Sequence, residues 1–184
     1  MVEKYVKPRY NLPMVTLLAY SMLLLLTSCN ISDSDQPRDS YSYALHKQAA
    51  IAVDTTQRLV GEGSSTTITT FSIIPGDNKV FAYKHNVNPP EGLIDAGLTE
   101  TLVFQIPSQI DRFEWSEQKL QDHSAWYKRS CFCPLSGAAF KLTSGTIRGE
   151  KMSAVHWIIR ADITIESPSG RHEIAFSEPF YVGL

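Results

Sequence analysis

Cys131-Phe132-Cys133 is the arrangement in this chain best suited to chemistry. In a strand, a spacing of two puts both thiols on one face, with α-carbons about 7 Å apart. That is the outer limit for a disulfide, so a bridge requires a bulge or bend, which Pro134 can accompany. Three readings fit: a structural pair, buried or bridged; a strained, reducible disulfide with a redox role; and a soft-metal site for Cu(I) or Zn, with His123 or His156 as third ligand. Redox chemistry of the thioredoxin kind wants Cys-x-x-Cys opening a helix, and both features are missing. The five histidines, His46, His85, His123, His156 and His172, form no His-x-His and no His-Glu-x-x-His pair. No Gly-x-Ser-x-Gly elbow, phosphate-binding loop or dinucleotide fingerprint occurs. Nothing in the sequence therefore assigns a catalytic residue or calls for a cofactor. Trp115 and Trp126 fall near expected strand ends, where aromatics either line a surface for sugars or peptides or pack at the rim of the core.

The third cysteine has a different setting. Leu26-Thr27-Ser28-Cys29 follows a 13-residue apolar run, Met14 to Leu26, which follows a basic start with Lys4, Lys7 and Arg9. The run is too short for a membrane span of about 20 residues and suits a signal-peptide core. An aliphatic residue, two small residues and Cys resemble the lipobox of bacterial lipoprotein precursors. The resemblance covers residues 1–29 only. It implies diacylglycerol on the Cys29 sulfur, cleavage of residues 1–28, and acylation of the new amine. Several acyl chains on one cysteine exceed the two-signal requirement for stable anchoring, at about 0.8 kcal/mol per buried CH₂. In enterobacterial lipoproteins an Asp after the cysteine favours inner-membrane retention; Asn30 stands there instead, which points to the outer membrane. A disulfide between Cys131 and Cys133 suits that compartment.

Composition narrows the rest. The precursor has 184 residues, and removing 1–28 leaves 156, one domain's length with enough chain for a substantial core. Residues 1–28 hold three Lys/Arg and one Glu, so the 17 basic and 19 acidic residues of the precursor become 14 and 18, a net −4. No basic stripe for nucleic acid remains. Residues 29–40, the lipidated cysteine and a polar, aperiodic stretch, read as a flexible tether, and residues 41–184 as a single β-rich domain.

Within that domain the hydrophobic period is two. Thr66 to Ile74 and Lys79 to Val87, separated by Pro75-Gly76-Asp77-Asn78, read as a hairpin. Further strands are expected over Leu98 to Ile106, Ile110 to Trp115, Ala125 to Cys133, Ala138 to Ile147 with an interruption near Ser144-Gly145, Met152 to Glu166, Arg171 to Phe176, and Glu178 to Val182. Ser116 to Asp122 reads as one short helix or a loop. In the strand from Met152, residues Trp157, Ile159, Ala161, Ile163 and Ile165 share one face, as in a half-buried antiparallel strand. About eight or nine strands with short turns predict an all-β fold, an antiparallel β-sandwich of immunoglobulin-like or jelly-roll type, with a small closed β-barrel as the alternative. The expected function is a lipid-anchored envelope protein with a non-catalytic binding or structural β-domain. Its partners would be the membrane, through Cys29, and an envelope protein or glycan. The alternative is soft-metal binding or a redox role at Cys131 and Cys133.

Overall fold

A computed structural model describes residues 39–59, 64–89, 97–131, 136–167 and 170–183. These belong to one compact unit, Pro37–Leu184. Cys29, Cys133 and the tether up to residue 38 lie outside the described residues.

The fold is all-β. Nine strands form one sheet: β1 (Ser40–Leu59), β2 (Ser65–Val87), β3 (Leu98–Pro107), β4 (Arg112–Ser116), β5 (Ala125–Cys131), β6 (Ala139–Lys141), β7 (Ser144–Lys151), β8 (His156–Ser167) and β9 (Gly170–Val182). A single helical turn and a half, α1 (Gln118–Asp122), follows β4. The sheet order is β4-β7-β8-β9-β1-β2-β3-β5-β6. Every neighbouring pair is antiparallel except β1 and β9, which run parallel and meet at only Ala44↔Tyr181 and Leu45↔Val182. The sheet is not closed, since β4 and β6 are its two ends. The closed-barrel expectation is therefore not met among the described residues.

The sheet curls instead until its inner face meets itself. Strand twist brings Trp157 of β8 edge-on to Phe81 of β2, with ring centroids 5.3 Å apart, although two strands separate them in the sheet. Trp115 on the terminal strand β4 likewise meets Phe104 of β3 at 6.1 Å. The alternating residues of β8, Trp157, Ile159, Ala161, Ile163 and Ile165, are all buried in this one core. Each large side chain taken fully out of water there contributes about 1.5–3 kcal/mol before entropy is subtracted. One end of the core is stoppered by Lys79, whose Nζ donates to the Ile110 carbonyl at 2.7 Å and sits 4.8 Å from the Trp157 ring centre. Burial lowers the pKa of this lysine, and Asp111, 3.6 Å away, works against that shift.

The expected hairpin over 66–87 is overturned. Both halves belong to the single strand β2, and both pair with β1. Pro75-Gly76-Asp77-Asn78 forms an irregularity rather than a reversal: Ala49 pairs with both Pro75 and Asn78, so the residues between them bulge out of the ladder. Opposite this point Gln48 adopts a positive φ of 51°. A Cβ on Gly76 would lie 2.6 Å from that of Ala50, so the close crossing admits only glycine. Pro-Gly marks a break in the ladder in either reading, because Pro cannot donate to it.

Beyond the bulge, the distal parts of β1 and β2 form a two-stranded arm that folds over the outer face of the sheet. Gln105 of β3 accepts a hydrogen bond from the Ile51 N–H at 2.8 Å, and Lys128 of β5 lies 4.7 Å from the Phe71 ring centre. Val80 and Val103 point away from the inner core, yet they are 0% and 1% exposed.

Other boundaries differ in detail. The segment expected from Ala138 breaks into β6 and β7 ahead of Ser144, so Ser144-Gly145 opens a strand rather than interrupting one. Arg171 to Phe176 and Glu178 to Val182 are one strand, β9. No described helix is long and apolar enough to cross a membrane.

Candidate functional site

At the end of the core opposite Lys79, the inner-face positions change character along each strand. Leu45 gives way to Tyr43 and Tyr41 on β1, Phe81 to Tyr83 and His85 on β2, Phe104 and Leu102 to Glu100 on β3, and Ala125 to Tyr127 and Arg129 on β5. Since side chains repeat every second residue, these groups converge at one mouth. There β9 contributes His172, 3.4 Å from the nearest Arg129 nitrogen.

A continuous polar chain crosses the mouth. Tyr127 donates its hydroxyl to Glu100 Oε1 at 2.6 Å, and Glu100 Oε2 lies 3.1 Å from His85 Nδ1. His85 Nε2 lies 3.1 Å from Asp39 Oδ2. Both ring contacts are hydrogen bonds at once when the imidazole carries both protons and donates on each side. Tyr41 stacks on the His85 ring at 4.3 Å, nearly parallel, and fixes its plane. The His85 and Glu100 side chains are 14% and 15% exposed, so this is a mostly desolvated network, in which satisfied polar groups rigidify their surroundings. Burial raises the Tyr127 pKa, and the hydrogen bond to Glu100 and that carboxylate's charge raise it further, so the phenol remains a donor. Burial, then the charge of Glu100, does the same to Tyr83. On the other side of the same strands, Thr99 donates to Asn86 at 3.0 Å and Asn86 to Ser40 at 3.2 Å.

Arg129 stands directly opposite Glu100 in the β3–β5 register. Among the described residues no ion pair joins it to a carboxylate, and its Nε is buried without an acceptor.

The residues singled out from the sequence fall elsewhere or only at the rim. Cys131 ends β5 and is disulfide-bonded; Cys133 lies outside the described residues. His123 and His156 cannot join Cys131 in a metal site. His123 precedes β5 and Cys131 closes it, a strand length of about 20 Å apart. His156 opens β8, one residue before the Trp157 that Lys79 covers, and stacks on Tyr181 at 4.9 Å. Among the described residues, no three His, Cys, Asp or Glu are grouped to hold a metal ion.

Trp115 and Trp126 form no common surface. Trp115 is 5% exposed on the inner face, packed on Phe104, Phe113 and His123, with only an edge in the wall of an open depression of 360 Å³. Trp126 alternates with the buried Ala125 and Tyr127, so it lies half-buried on the outer face, and its indole N–H is buried without an acceptor. The apolar demand of the core explains Trp115: a ring of that size at an inward position fills volume that the short strand β4 cannot fill otherwise.

The mouth was missed in the sequence because its members are dispersed from Asp39 to His172. The usable signal was the switch from apolar to Tyr, His, Glu and Arg at inward positions of four strands, which needs strand phase and pairing to be seen. Against models of known protein families, curated proteins and solved structures, this chain finds no match.

Proposed function

We propose that this protein is a lipid-anchored component of the bacterial cell envelope, held in the outer membrane by acyl chains on Cys29, and that its β-domain is a non-catalytic binding or structural module for an envelope protein or glycan. The observation that carries the reading is Leu26-Thr27-Ser28-Cys29 directly after a 13-residue apolar run, with a polar stretch between that cysteine and the first strand at Ser40. A thiol at that position is nucleophilic enough to accept a lipid, which a serine is not.

The mouth favours binding over catalysis. Both His85 nitrogens face carboxylates, so neither is left to take a proton from a substrate. The raised pKa of Tyr127 makes its phenol a poor base. The second reading, a redox or soft-metal role at Cys131-Phe132-Cys133, draws on the disulfide at Cys131. Metal binding would require that bond to be reduced first, since the thiolate is the ligand. Stoichiometric Cu(I) uptake under reducing conditions, lost in Cys131→Ser, would advance it.

Cell fractionation tests the main reading. The wild-type chain is expected in the outer-membrane fraction, released by detergent and not by salt. Cys29→Ser is expected to leave that fraction or accumulate unprocessed. Identical fractionation of the two chains contradicts the proposal.

A further inference from the structure

We propose that Arg129, with His172 beside it, is the anion-recognition point of the mouth, and that the ligand of this domain presents an oxyanion group there, a carboxylate or a phosphoryl group. This rests on the reading of the β-domain as a binding module and specifies what it binds.

At the mouth, an expected cross-strand ion pair fails to form. Arg129 and Glu100 are direct partners in the β3–β5 ladder, and opposite charges in that position normally attract one another. Glu100 is already engaged: one oxygen accepts from Tyr127 at 2.6 Å and the other contacts His85 at 3.1 Å. The same ring meets Asp39 on its far side at 3.1 Å, and both Glu100 oxygens already have partners other than Arg129. Arg129 is left half-buried; among the described residues its side chain approaches His172 Nε2 at 3.4 Å, and its Nε is occluded without an acceptor.

A partly desolvated guanidinium that no carboxylate pairs among the described residues is costly. Its planar fork of donors is matched by a carboxylate or a phosphoryl group, which it can bind through two parallel N–H donors. The surroundings suit an anion with an organic body. The Tyr127 ring lies 6.2 Å from that of His172, and Tyr83 and Phe176 stack at 4.9 Å beside it. Lys128 and Ser130, on either side of Arg129, alternate to the outer face and do not compete for the ligand.

The test is an NMR titration of the full-length chain in non-ionic detergent. Inorganic phosphate, acetate and, as the ionic-strength control, chloride are added while the arginine side-chain N–H resonances are followed. Arg129→Gln assigns the resonance by its disappearance; if that variant does not fold, Arg129→Lys serves, since it too removes the guanidinium. The expected result is a saturable shift of the Arg129 resonance with phosphate or acetate and none with chloride. Response to phosphate alone identifies a phosphoryl ligand, and response to acetate alone a carboxylate. Affinity is expected to fall roughly tenfold or more in Arg129→Gln, as for loss of a hydrogen bond to a charged group. No movement of the Arg129 resonance, equal movement of all arginines, or undiminished binding by Arg129→Gln overturns the proposal. Any of these would leave membrane fractionation of the wild-type chain unchanged, so this failure is distinguishable from failure of the anchoring reading.

Discussion

Tyr127 on β5 donates its hydroxyl to Glu100 on β3 at 2.6 Å, diagonally across the strand pair, and so takes an acceptor that Arg129 would otherwise claim. The carboxylate is fixed by a neutral donor, and among the described residues no ion pair joins Arg129 to it or to any other carboxylate.

Tyr127→Phe removes that donor and leaves a mostly buried carboxylate short of one hydrogen bond. A loss of about 1.5–3 kcal/mol is expected, the range for hydrogen bonds to charged groups. Urea denaturation measures it. An unchanged midpoint would mean that Glu100 is satisfied without the phenol.

Alkaline pH should destabilise the domain in a definite direction. Burial raises the pKa of Tyr127, Tyr83 and Tyr43 above the unfolded value of about 10. Their contribution is complete below that pH. Above it, the unfolded chain releases protons that the folded chain retains, so stability falls as pH rises. Ultraviolet titration should show these phenolates appearing only with loss of the circular dichroism of the fold. Ionisation of every tyrosine near the ordinary value, with the fold intact, would oppose this.

Gly145 opens β7 with φ of 108°, and a Cβ there would lie 2.3 Å from the Asp162 carbonyl oxygen. Gly145→Ala is expected to cost about 1–3 kcal/mol from backbone conformation, with the clash against β8 added. Thermal denaturation reads the loss. A variant as stable as the wild type would mean that β7 and β8 do not approach this closely.

Val103 tests the arm. It points outward from the curled sheet, is 1% exposed, and lies two residues before Gln105, which accepts a hydrogen bond from Ile51 of the arm. Val103→Thr keeps the shape but buries a hydroxyl, for an expected loss of about 1–3 kcal/mol. The same change at an uncovered position would be nearly neutral, so a neutral outcome would place the arm away from the sheet.

Much of this fold was legible in the period-two pattern, which is clearest in β8, where Trp157 to Ile165 alternate without exception and are buried as expected. What remained hidden depended on pairing. Pro75-Gly76 looks the same to the sequence whether it reverses a chain or bulges from a ladder, and only the partner strand β1, continuing past it on both sides, decides the matter. The curl of the sheet, which brings β4 against β3, is likewise a property of accumulated twist rather than of any one segment. The mouth depended on both: His85, Glu100, Tyr127 and Arg129 become neighbours only when strand phase and register are known together. The proposed lipid attachment at Cys29 is of another kind: it is inferred from a local sequence resemblance and lies outside the described residues.

Intact mass of the protein purified from its native source tests the proposed lipid anchor most directly. The expected result is a polypeptide beginning at Cys29, lacking residues 1–28 and carrying the added mass of a diacylglycerol and an amide-linked acyl chain. A mass matching the unmodified chain, or one cleaved elsewhere with Cys29 unacylated, would contradict it.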